Sequence, residues 1–283
     1  GEYLHEHNKV KVIACAQCPI ACEQMSMVKV GPWAGTMTGI EYECLFANGS
    51  NLGISDINAS IALIYIADNS GMDAISMGIV ISWAMETFEK GIFKKEDFKC
   101  KKYPDGFELR FGNGEAAVAT AEMIRDREGI GKLLSEGTRI ASFVIDEQRG
   151  TETYKWAMQA KGLEPAGYEA RGMKTFSLGS AVGTRGPCHN RSAAYDPDIQ
   201  GEVDRFSVDE KRGALAKDTE EYAAVYDTQP LCKFIRRCFT GKADRAGAWP
   251  TIVKLINATT GWDFKYEDVD LIGVRAHTIK KAF

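Results

Sequence analysis

Helical periodicity dominates the pattern of hydrophobic and polar positions along the chain, and alternating segments are few. A mostly apolar stretch over residues 57–67 follows Asp56, a residue type that often caps helix N-termini. After a break at residues 68–71, Asp73 precedes a second helix that ends at Gly91. The apolar face of this second helix includes Ile75, Ile79, Trp83 and Phe88. The pattern therefore predicts two consecutive helices in this part of the chain.

The same periodicity predicts four further helices. They cover residues 114–127, 131–145, 207–226 and 250–259. The polar stretch 145–153 between these groups has the composition of a linker, so we place a domain boundary near residue 150. The expected fold is mainly α, with one helical domain over residues 1–150 and a second over 151–283.

A glycine-rich segment, residues 161–190, separates the predicted helices of the second domain. It is long for a loop, so we expect it to be functional or packed against another part of the protein. Glycine allows close backbone approach, and the segment also carries cations and a histidine. These charged and titratable residues are Arg171, Lys174, Arg185 and His189.

Composition and charge exclude several classes of protein. A chain of 283 residues with 45% hydrophobic and 26% charged residues is globular, and its formal charge of −4 is not the basic signature of a nucleic-acid binder. The longest apolar run, residues 57–66, is shorter than the ~18 residues of a membrane span. Residues 1–12 lack the apolar core of a secretory signal, so we expect a cytoplasmic protein. The basic run 277–283 lacks a terminating turn, and we expect the chain to be part of a longer protein or of an assembly.

Three of the eight cysteines lie within eight residues, as Cys15-x2-Cys18-x3-Cys22. Thiolates that converge on one loop repel each other unless a metal neutralises them. Iron–sulfur clusters commonly use three closely spaced cysteines and a distant fourth, and the spacing favours that interpretation. A zinc site is an alternative, although no second pair of ligands follows, and clustering of buried thiols is another. The candidates for the fourth ligand are Cys44, Cys100, Cys188, Cys232 and Cys238.

Five segments in order resemble the tungsten-containing aldehyde ferredoxin oxidoreductases, over nearly the whole chain. The first is the cysteine motif, and the second is Glu41-Tyr-Glu43 with the segment 47–56 that follows it. The third segment, Asp68-x2-Gly71-Met72-Asp73, is similar to the first pterin-binding motif of the family. The last two are Arg185-Gly-Pro-Cys-His189 and Asp227-x3-Leu231-Cys232, of which the latter is similar to the second pterin-binding motif.

The resemblance implies helical domains like domains 2 and 3 of that family, which jointly hold tungsten, or molybdenum, on two pterins. It also implies one 4Fe–4S cluster, with Cys15, Cys18, Cys22 and Cys232 as ligands. Cys238, six residues further on, is the main rival to Cys232. The β-rich N-terminal domain of the family has no counterpart here, so a missing domain or another subunit is expected to complete the cofactor site.

Roles for individual residues follow from the resemblance. Asp68 and Asp227 match positions that accept hydrogen bonds from pterin amino groups, a task suited to carboxylates. Gly71, Asp73 and Leu231 complete the two motifs. Arg171 and Arg185 are candidates for binding the pterin phosphates, and Lys174 is as well explained by solvated charge. Glu43 is the expected general base, with Glu41 as its alternative, and His189 is the expected hydrogen-bond donor to substrate.

The implied function is oxidation of an aldehyde to a carboxylate, with electrons passing through the cluster to ferredoxin or another carrier, in an anaerobic enzyme that we expect to be oligomeric. One alternative is the catalytic subunit of a related complex that reduces aromatic acyl thioesters. Two others are a non-catalytic iron–sulfur electron-transfer subunit and a zinc-stapled interaction module.

Overall fold

The computed structural model of the protein describes residues 1–235 and 245–283, and the fold divides into two compact units, Gly1–Gly167 and Tyr168–Phe283. The division lies after Gly167 rather than near residue 150 because the intervening segment packs on the first unit. The Trp83 indole N–H donates to the carbonyl oxygen of Thr153 at 3.2 Å. Both groups are buried, so this contact ties the start of that segment to the first unit.

A three-stranded antiparallel sheet opens the first unit. Its strands are β1 (Lys9–Ile13), β2 (Glu23–Met27) and β3 (Met37–Ile40), with β2 in the centre. A single turn of π-helix, Leu4–Asn8, precedes it. The sequence pattern did not predict this sheet, because its strands are only four or five residues long. The cysteine motif forms the connection between β1 and β2.

Six helices form the rest of the first unit. They are α1 (Tyr42–Ala47), α2 (Ile57–Asn69), α3 (Ala74–Glu89), α4 (Gly114–Asp126), α5 (Gly131–Leu134) and α6 (Gly137–Arg149). One-turn 3-10 helices lie at Ser50–Leu52, Lys95–Phe98 and Thr153–Trp156. The predicted caps are confirmed: the Asp56 carboxylate accepts from Asn58 N–H at 2.9 Å, and Asp73 accepts from Ser76 N–H at 2.8 Å. The buried faces of α2, α3 and α4 make the main hydrophobic core.

The prediction of one continuous helix over residues 131–145 is wrong, because the structure has two helices there. Gly137 has a φ of +84°, which ends α5 and starts α6 in a new direction. The predicted linker 145–153 is also largely helical, because α6 continues to Arg149. The guanidinium of Arg149 binds the Asp97 carboxylate at 2.6 Å, and this ion pair holds the end of α6 against the rest of the first unit.

The second unit is helical throughout the part that the structure describes. Its helices are α7 (Lys174–Val182), α8 (His189–Ser192), α9 (Tyr195–Gln200), α10 (Arg212–Thr228), α11 (Arg245–Thr260) and α12 (Tyr266–Ala282), with a 3-10 turn at Lys233–Ile235. The glycine-rich segment is therefore not one loop, since it contains α7. Buried residues of α10, α11 and α12 form the core of this unit.

The prediction of a mainly α fold is confirmed. The helix predicted over 207–226 starts later, at Arg212, and the one predicted over 250–259 starts earlier, so that Pro250 lies inside α11. No helix within residues 1–235 and 245–283 is long and apolar enough to cross a membrane.

Candidate functional site

The three clustered cysteines lie on the turn-rich connection between β1 and β2. The Cys18 N–H donates to the Cys15 carbonyl oxygen at 2.9 Å, which closes a tight turn. Gln17 and Ala21 both have left-handed backbone conformations, with φ of 61° and 49°, a strained arrangement for residues other than glycine. Cys15 and Cys22 are exposed and Cys18 is half-buried. Within the described ranges, no three or more His, Cys, Asp or Glu side chains are already grouped as metal ligands.

The other cysteines differ in their surroundings. Cys232 is exposed and directly precedes the 3-10 turn Lys233–Ile235 in the second unit, which leaves its thiol accessible to a cluster. Cys188 accepts a hydrogen bond from Arg185 at 3.6 Å, and the backbone of Cys100 pairs with Tyr103 in a small turn. Cys238, the rival fourth ligand, lies outside the described residues. The assignment of Cys232 as the fourth ligand stays a prediction.

Four acidic residues of two predicted motifs act on one thiol in the first unit. Burial, followed by the charges of Asp68, Glu41, Asp73 and Glu43, raises the pKa of Cys44 to about 11. The charges of Glu41 and Glu43 in one motif, and of Asp68 and Asp73 in the other, thus all act on Cys44. The thiol stays protonated at neutral pH, which disfavours Cys44 among the candidates for the fourth metal ligand.

Helix α1, which carries Glu43, is fixed against α3. The buried Asn48 side chain donates from Nδ2 to the carbonyl oxygen of Ala74 at 2.9 Å. A β-carbon at Gly78 on α3 would lie 2.4 Å from the carbonyl oxygen of Ala47, so the two helix backbones touch. A short helix of six residues would not hold a side chain in place by itself, and these contacts supply its support.

Glu43 and Glu41 have different environments. Glu41 is exposed and precedes α1 without making a side-chain capping bond. Glu43 is half-buried, and its Oε2 accepts from the Gly167 N–H at 2.7 Å. Burial raises the pKa of the Glu43 carboxyl, and the hydrogen bond from Gly167 partly opposes this. A carboxylate with a raised pKa is a better general base near neutral pH than an ordinary surface glutamate.

The first pterin-like motif forms the turn between α2 and α3. Gly71 has a φ of +68°, which lets the chain reverse. Asp73 caps α3, so one of its oxygens is already occupied. Asp68 is exposed, and its Oδ2 accepts from the Thr38 hydroxyl at 2.6 Å.

His189 begins α8 in the second unit and lies among aromatic rings. Its ring centroid is 5.5 Å from that of Tyr168, which in turn stacks on Tyr195 at 4.6 Å. Burial, followed by the positive charge of Lys233, lowers the pKa of His189 to about 4. The imidazole is therefore neutral at neutral pH and can donate one hydrogen bond without carrying charge.

Asp227, near the end of α10, is held by two cations. Its Oδ1 accepts from Arg191 at 2.6 Å, and Lys280 lies 4.0 Å from Oδ2. Among the described residues, no donor is within hydrogen-bond distance of Oδ2, and this atom is buried. An acceptor oxygen without a donor fits the amino group of an aminopterin, which supplies one.

A cavity of about 210 Å³ lies beside Asp227 in the second unit. Arg185, Arg191 and Lys280 make one part of its wall, and the turn Gly183–Gly186 makes another. The wall also contains Glu220, whose Oε2 is 3.1 Å from Nδ1 of His277. The cavity is positively charged on balance, since three cations and one carboxylate line it, and this composition suits a polar heterocycle with an acidic substituent.

The remaining predicted residues vary in their fit. Leu231 packs against the core of the second unit, so it has a role in the folded structure as well as a place in the predicted motif. Lys174 begins α7, and its backbone N–H donates to Arg205. The side chain of Arg171 is 89% exposed and already makes a bidentate pair with Glu169, whose pKa it lowers to about 2. Of the predicted cations, Arg185 alone lines the described cavity.

Sequence reasoning missed several residues of this region. Gly167 has no sequence signal, because a hydrogen bond between residues 124 positions apart has no local pattern. Arg191 lies two residues after His189, so its nearness in sequence to the segment 185–189 could have identified it as a candidate. Glu220 lies on α10 and Lys280 on α12. The spacing within each helix indicates only which residues of that helix share a face.

The first unit carries the half-buried Glu43 and the turn Asp68–Asp73, and the second unit carries the half-buried His189 and Asp227. The chain matches the family described as "Aldehyde ferredoxin oxidoreductase, domains 2 & 3" over residues 1–283. It therefore belongs to the aldehyde ferredoxin oxidoreductase family, and the resemblance inferred from the motifs is confirmed.

Characterised relatives support the same grouping. The chain is 32% identical over 287 residues to a tungsten-containing aldehyde ferredoxin oxidoreductase of Pyrococcus abyssi, a match that covers 100% of the chain and 44% of the relative. It is 28% identical over 262 residues to the WOR-like subunit of an aliphatic sulfonate oxidoreductase of Pyrococcus furiosus, with 91% of the chain and 37% of the relative covered. The chain thus spans less than half the length of these relatives, which are oxidoreductases.

A solved structure has the same fold. The active-site complex BamBC of benzoyl coenzyme A reductase, in complex with 1,5-dienoyl-CoA, superposes with a TM-score of 0.74 and 19% sequence identity. The match covers 99% of the chain and 45% of the solved chain. At this level of identity the likeness concerns the fold alone.

Proposed function

We propose that the chain is the cofactor-binding part of an oxidoreductase that converts an aldehyde to a carboxylate at a tungsten bis-pterin. Electrons would leave through a 4Fe–4S cluster to ferredoxin or another carrier. The observation that carries the proposal is Glu43, a half-buried carboxylate whose pKa is raised by burial and which accepts a hydrogen bond from Gly167. The names of the relatives favour tungsten and an aldehyde substrate.

The described residues fit the implied cofactors. Within residues 1–235 and 245–283, the buried Oδ2 of Asp227 has no hydrogen-bond donor, and Asp68 is an exposed carboxylate, so each can accept from the amino group of one pterin. Arg185 lines the cavity beside Asp227 and suits an anionic substituent. The four cysteines proposed for the cluster are Cys15, Cys18, Cys22 and Cys232.

The metal, when bound, would supply the capacity to accept two electrons, and the chain would supply acid–base chemistry and orientation. Glu43 would take a proton from the water that attacks the carbonyl carbon. His189, neutral at physiological pH, would donate a hydrogen bond to the oxygen on which negative charge develops. Both side chains are half-buried, which limits the access of bulk water, so each interaction is stronger than at the surface.

The full-length protein, purified without oxygen, provides the test. We expect about one tungsten and about four irons per chain, with aldehyde-dependent reduction of ferredoxin. Iron without tungsten and without turnover would support the electron-transfer subunit instead, and zinc without iron would support the zinc module.

The substrate class is tested in the same preparation. An aliphatic sulfonate belongs in the panel because one relative carries that name, and an aromatic acyl thioester belongs there because it is the alternative of the sequence analysis. Faster turnover of either compound than of any aldehyde would contradict the proposed substrate.

A further inference from the structure

The backbone of residue 167 lies directly against helix α1. The Gly167 N–H donates to Glu43 Oε2 at 2.7 Å, a short distance typical of hydrogen bonds to charged acceptors. Glu43 and Phe46 are three residues apart, so they share the face of α1 on which Gly167 rests. Gly167 is therefore in contact with both side chains.

Glycine is required at this position by space. A β-carbon on residue 167 would lie 2.9 Å from two ring carbons of Phe46 and 3.2 Å from Glu43 Oε2. Gly167 does not have a positive φ, so backbone conformation is not the reason for glycine here. Any larger residue must push away the aromatic ring or the carboxylate.

The segment 164–167, which we call the brace, is anchored at its other end. Glu164 is buried, and its Oε1 accepts from the Thr138 N–H at 2.7 Å in the first turn of α6. The residue that precedes α6 makes no side-chain capping bond, so Glu164 performs that function from a distant part of the chain. Ala166 is also buried. With both ends held, the Gly167 amide is a rigid donor rather than a mobile one.

We propose that Gly167 is a positioning residue whose N–H fixes the orientation of the Glu43 carboxylate and favours its ionised form. The brace would hold the donor, and the missing side chain of Gly167 would let α1 approach it. The effect on turnover rests on the proposed function, in which Glu43 is the base. The contact itself is a property of the first unit and does not depend on that function.

The electrostatics agree with this geometry. Burial raises the pKa of Glu43, and the hydrogen bond from Gly167 lowers it. Other titratable groups in the region are Glu41 before α1, Cys44 on α1, Asp68 at the end of α2 and Asp73 before α3. All four are acids, and all four are present both in the parent protein and in a variant at position 167. The difference in the pKa of Glu43 between these two proteins therefore does not include their contribution.

The first experiment measures the pH dependence of kcat/KM in the holoenzyme of Gly167→Ala. Displacement of the carboxylate from its donor should move the acidic limb upward by about one pH unit, because one charge-assisted hydrogen bond is lost or weakened. Tungsten and iron contents should not change. The matched control is Gly213→Ala, since a β-carbon at Gly213 meets no atom within 4 Å.

Rescue distinguishes positioning from general damage. Phe46→Leu removes part of the ring that the new methyl group strikes, so adding it to Gly167→Ala should return the acidic limb toward that of the parent. If folded Gly167→Ala holoenzyme keeps the parent pH profile and rate, the proposal is overturned.

A second measurement needs neither turnover nor a variant at position 167. Hydrogen exchange of the Gly167 amide in the full-length protein should be slow, and Glu43→Ala should accelerate it about tenfold or more by removing the acceptor. Equal exchange in the two proteins would overturn the proposal. If the exchange result is as expected but no aldehyde is oxidised, the proposed function fails and the positioning of Glu43 by Gly167 stands.

Discussion

At the scale of single residues, environment separates two glutamates that the sequence leaves nearly equivalent. Glu41 is exposed, whereas Glu43 is half-buried and hydrogen-bonded to Gly167. Desolvation raises the pKa of Glu43, and this brings the carboxyl closer to the range in which a general base works best. The choice of Glu43 over Glu41 thus has a physical reason in addition to the motif.

We predict that Glu43→Gln lowers turnover of aldehyde about 10²-fold or more, while tungsten and iron remain bound. Glutamine keeps the shape and accepts the Gly167 hydrogen bond through its oxygen, but it cannot take a proton. Steady-state kinetics with metal analysis measure both effects. Glu41→Gln is the matched control and should retain a rate near that of the parent. A nearly unchanged rate in Glu43→Gln, with a loss in Glu41→Gln, would reverse the assignment.

The lowered pKa of His189 gives a second prediction. We expect its imidazole to titrate near pH 4 in the folded protein, against about 6.5 in an unfolded chain. The unfolded state then binds more protons between these values, so His189 reduces stability as the pH falls from about 6.5 to about 4. Histidine NMR titration measures the midpoint. Lys233→Gln should raise it, because a positive charge is removed, and a midpoint near 6.5 in the parent protein would contradict the prediction.

The cluster ligands give a third prediction. Cys232→Ala should lower the iron content and the visible absorption of the anaerobic protein, since a cubane cluster needs its fourth thiolate. Cys100→Ala is the control, because Cys100 lies in a turn with Tyr103 and is not a proposed ligand. Iron loss in the Cys100 variant together with a full cluster in the Cys232 variant would show that the assignment is wrong.

At the scale of secondary-structure elements, a buried ion pair joins three helices of the second unit. Arg212 at the start of α10 binds Asp198 of α9 at 2.8 Å and the Thr175 hydroxyl of α7 at 2.5 Å. Asp198 also accepts from the Phe176 N–H in the first turn of α7. Both charged side chains are almost completely buried, so each one depends on the other for compensation.

We predict that Arg212→Met destabilises the protein by about 3–5 kcal/mol, because it leaves the Asp198 carboxylate buried without its cation. Denaturant-induced unfolding, followed by the fluorescence of the second unit, measures the change. Lys217→Met on the same helix is the control. Its partner in an i,i+4 pair is Glu221, and the Lys217 side chain is 64% exposed, so the loss should stay within about 1 kcal/mol. Equal losses in the two variants would contradict the role given to the buried pair.

At the scale of the whole molecule, the candidate residues are divided between the two units. The first unit carries the three clustered cysteines, Glu43 and Asp68, and the second carries His189, Asp227 and Cys232. The cysteines proposed for the cluster and the aspartates proposed for the two pterins are therefore each divided between the units. The chain also spans only 44% of its tungsten-containing relatives.

We therefore predict that residues 1–283 produced alone retain less tungsten and iron than the full-length protein. The reason is that contacts from the remaining part of the protein would be absent. Metal analysis of both preparations, made under the same anaerobic conditions, measures the difference. Stoichiometric tungsten in the shorter chain would show that the two units suffice.

The sequence by itself determined the helical class, the caps at Asp56 and Asp73, and the family. These properties depend on local periodicity, on capping chemistry and on the order of short motifs, all of which are written along the chain. Strands as short as β1, with five residues, give too few positions for an alternation of hydrophobic and polar residues to stand out, so the sequence pattern did not predict the sheet. The break at Gly137 was also missed, since one glycine inside a periodic stretch is compatible with a continuous helix.

Only the tertiary structure decided which candidate side chains have a special environment. Arg171 belongs to the glycine-rich segment that the sequence singled out, yet it is exposed and paired with Glu169. Gly167 carries no local sequence signal, yet it donates a hydrogen bond to Glu43, which lies 124 positions earlier in the sequence. Burial, hydrogen bonds between distant residues and the pKa values that follow from them arise from packing, and no local pattern encodes packing between residues so far apart.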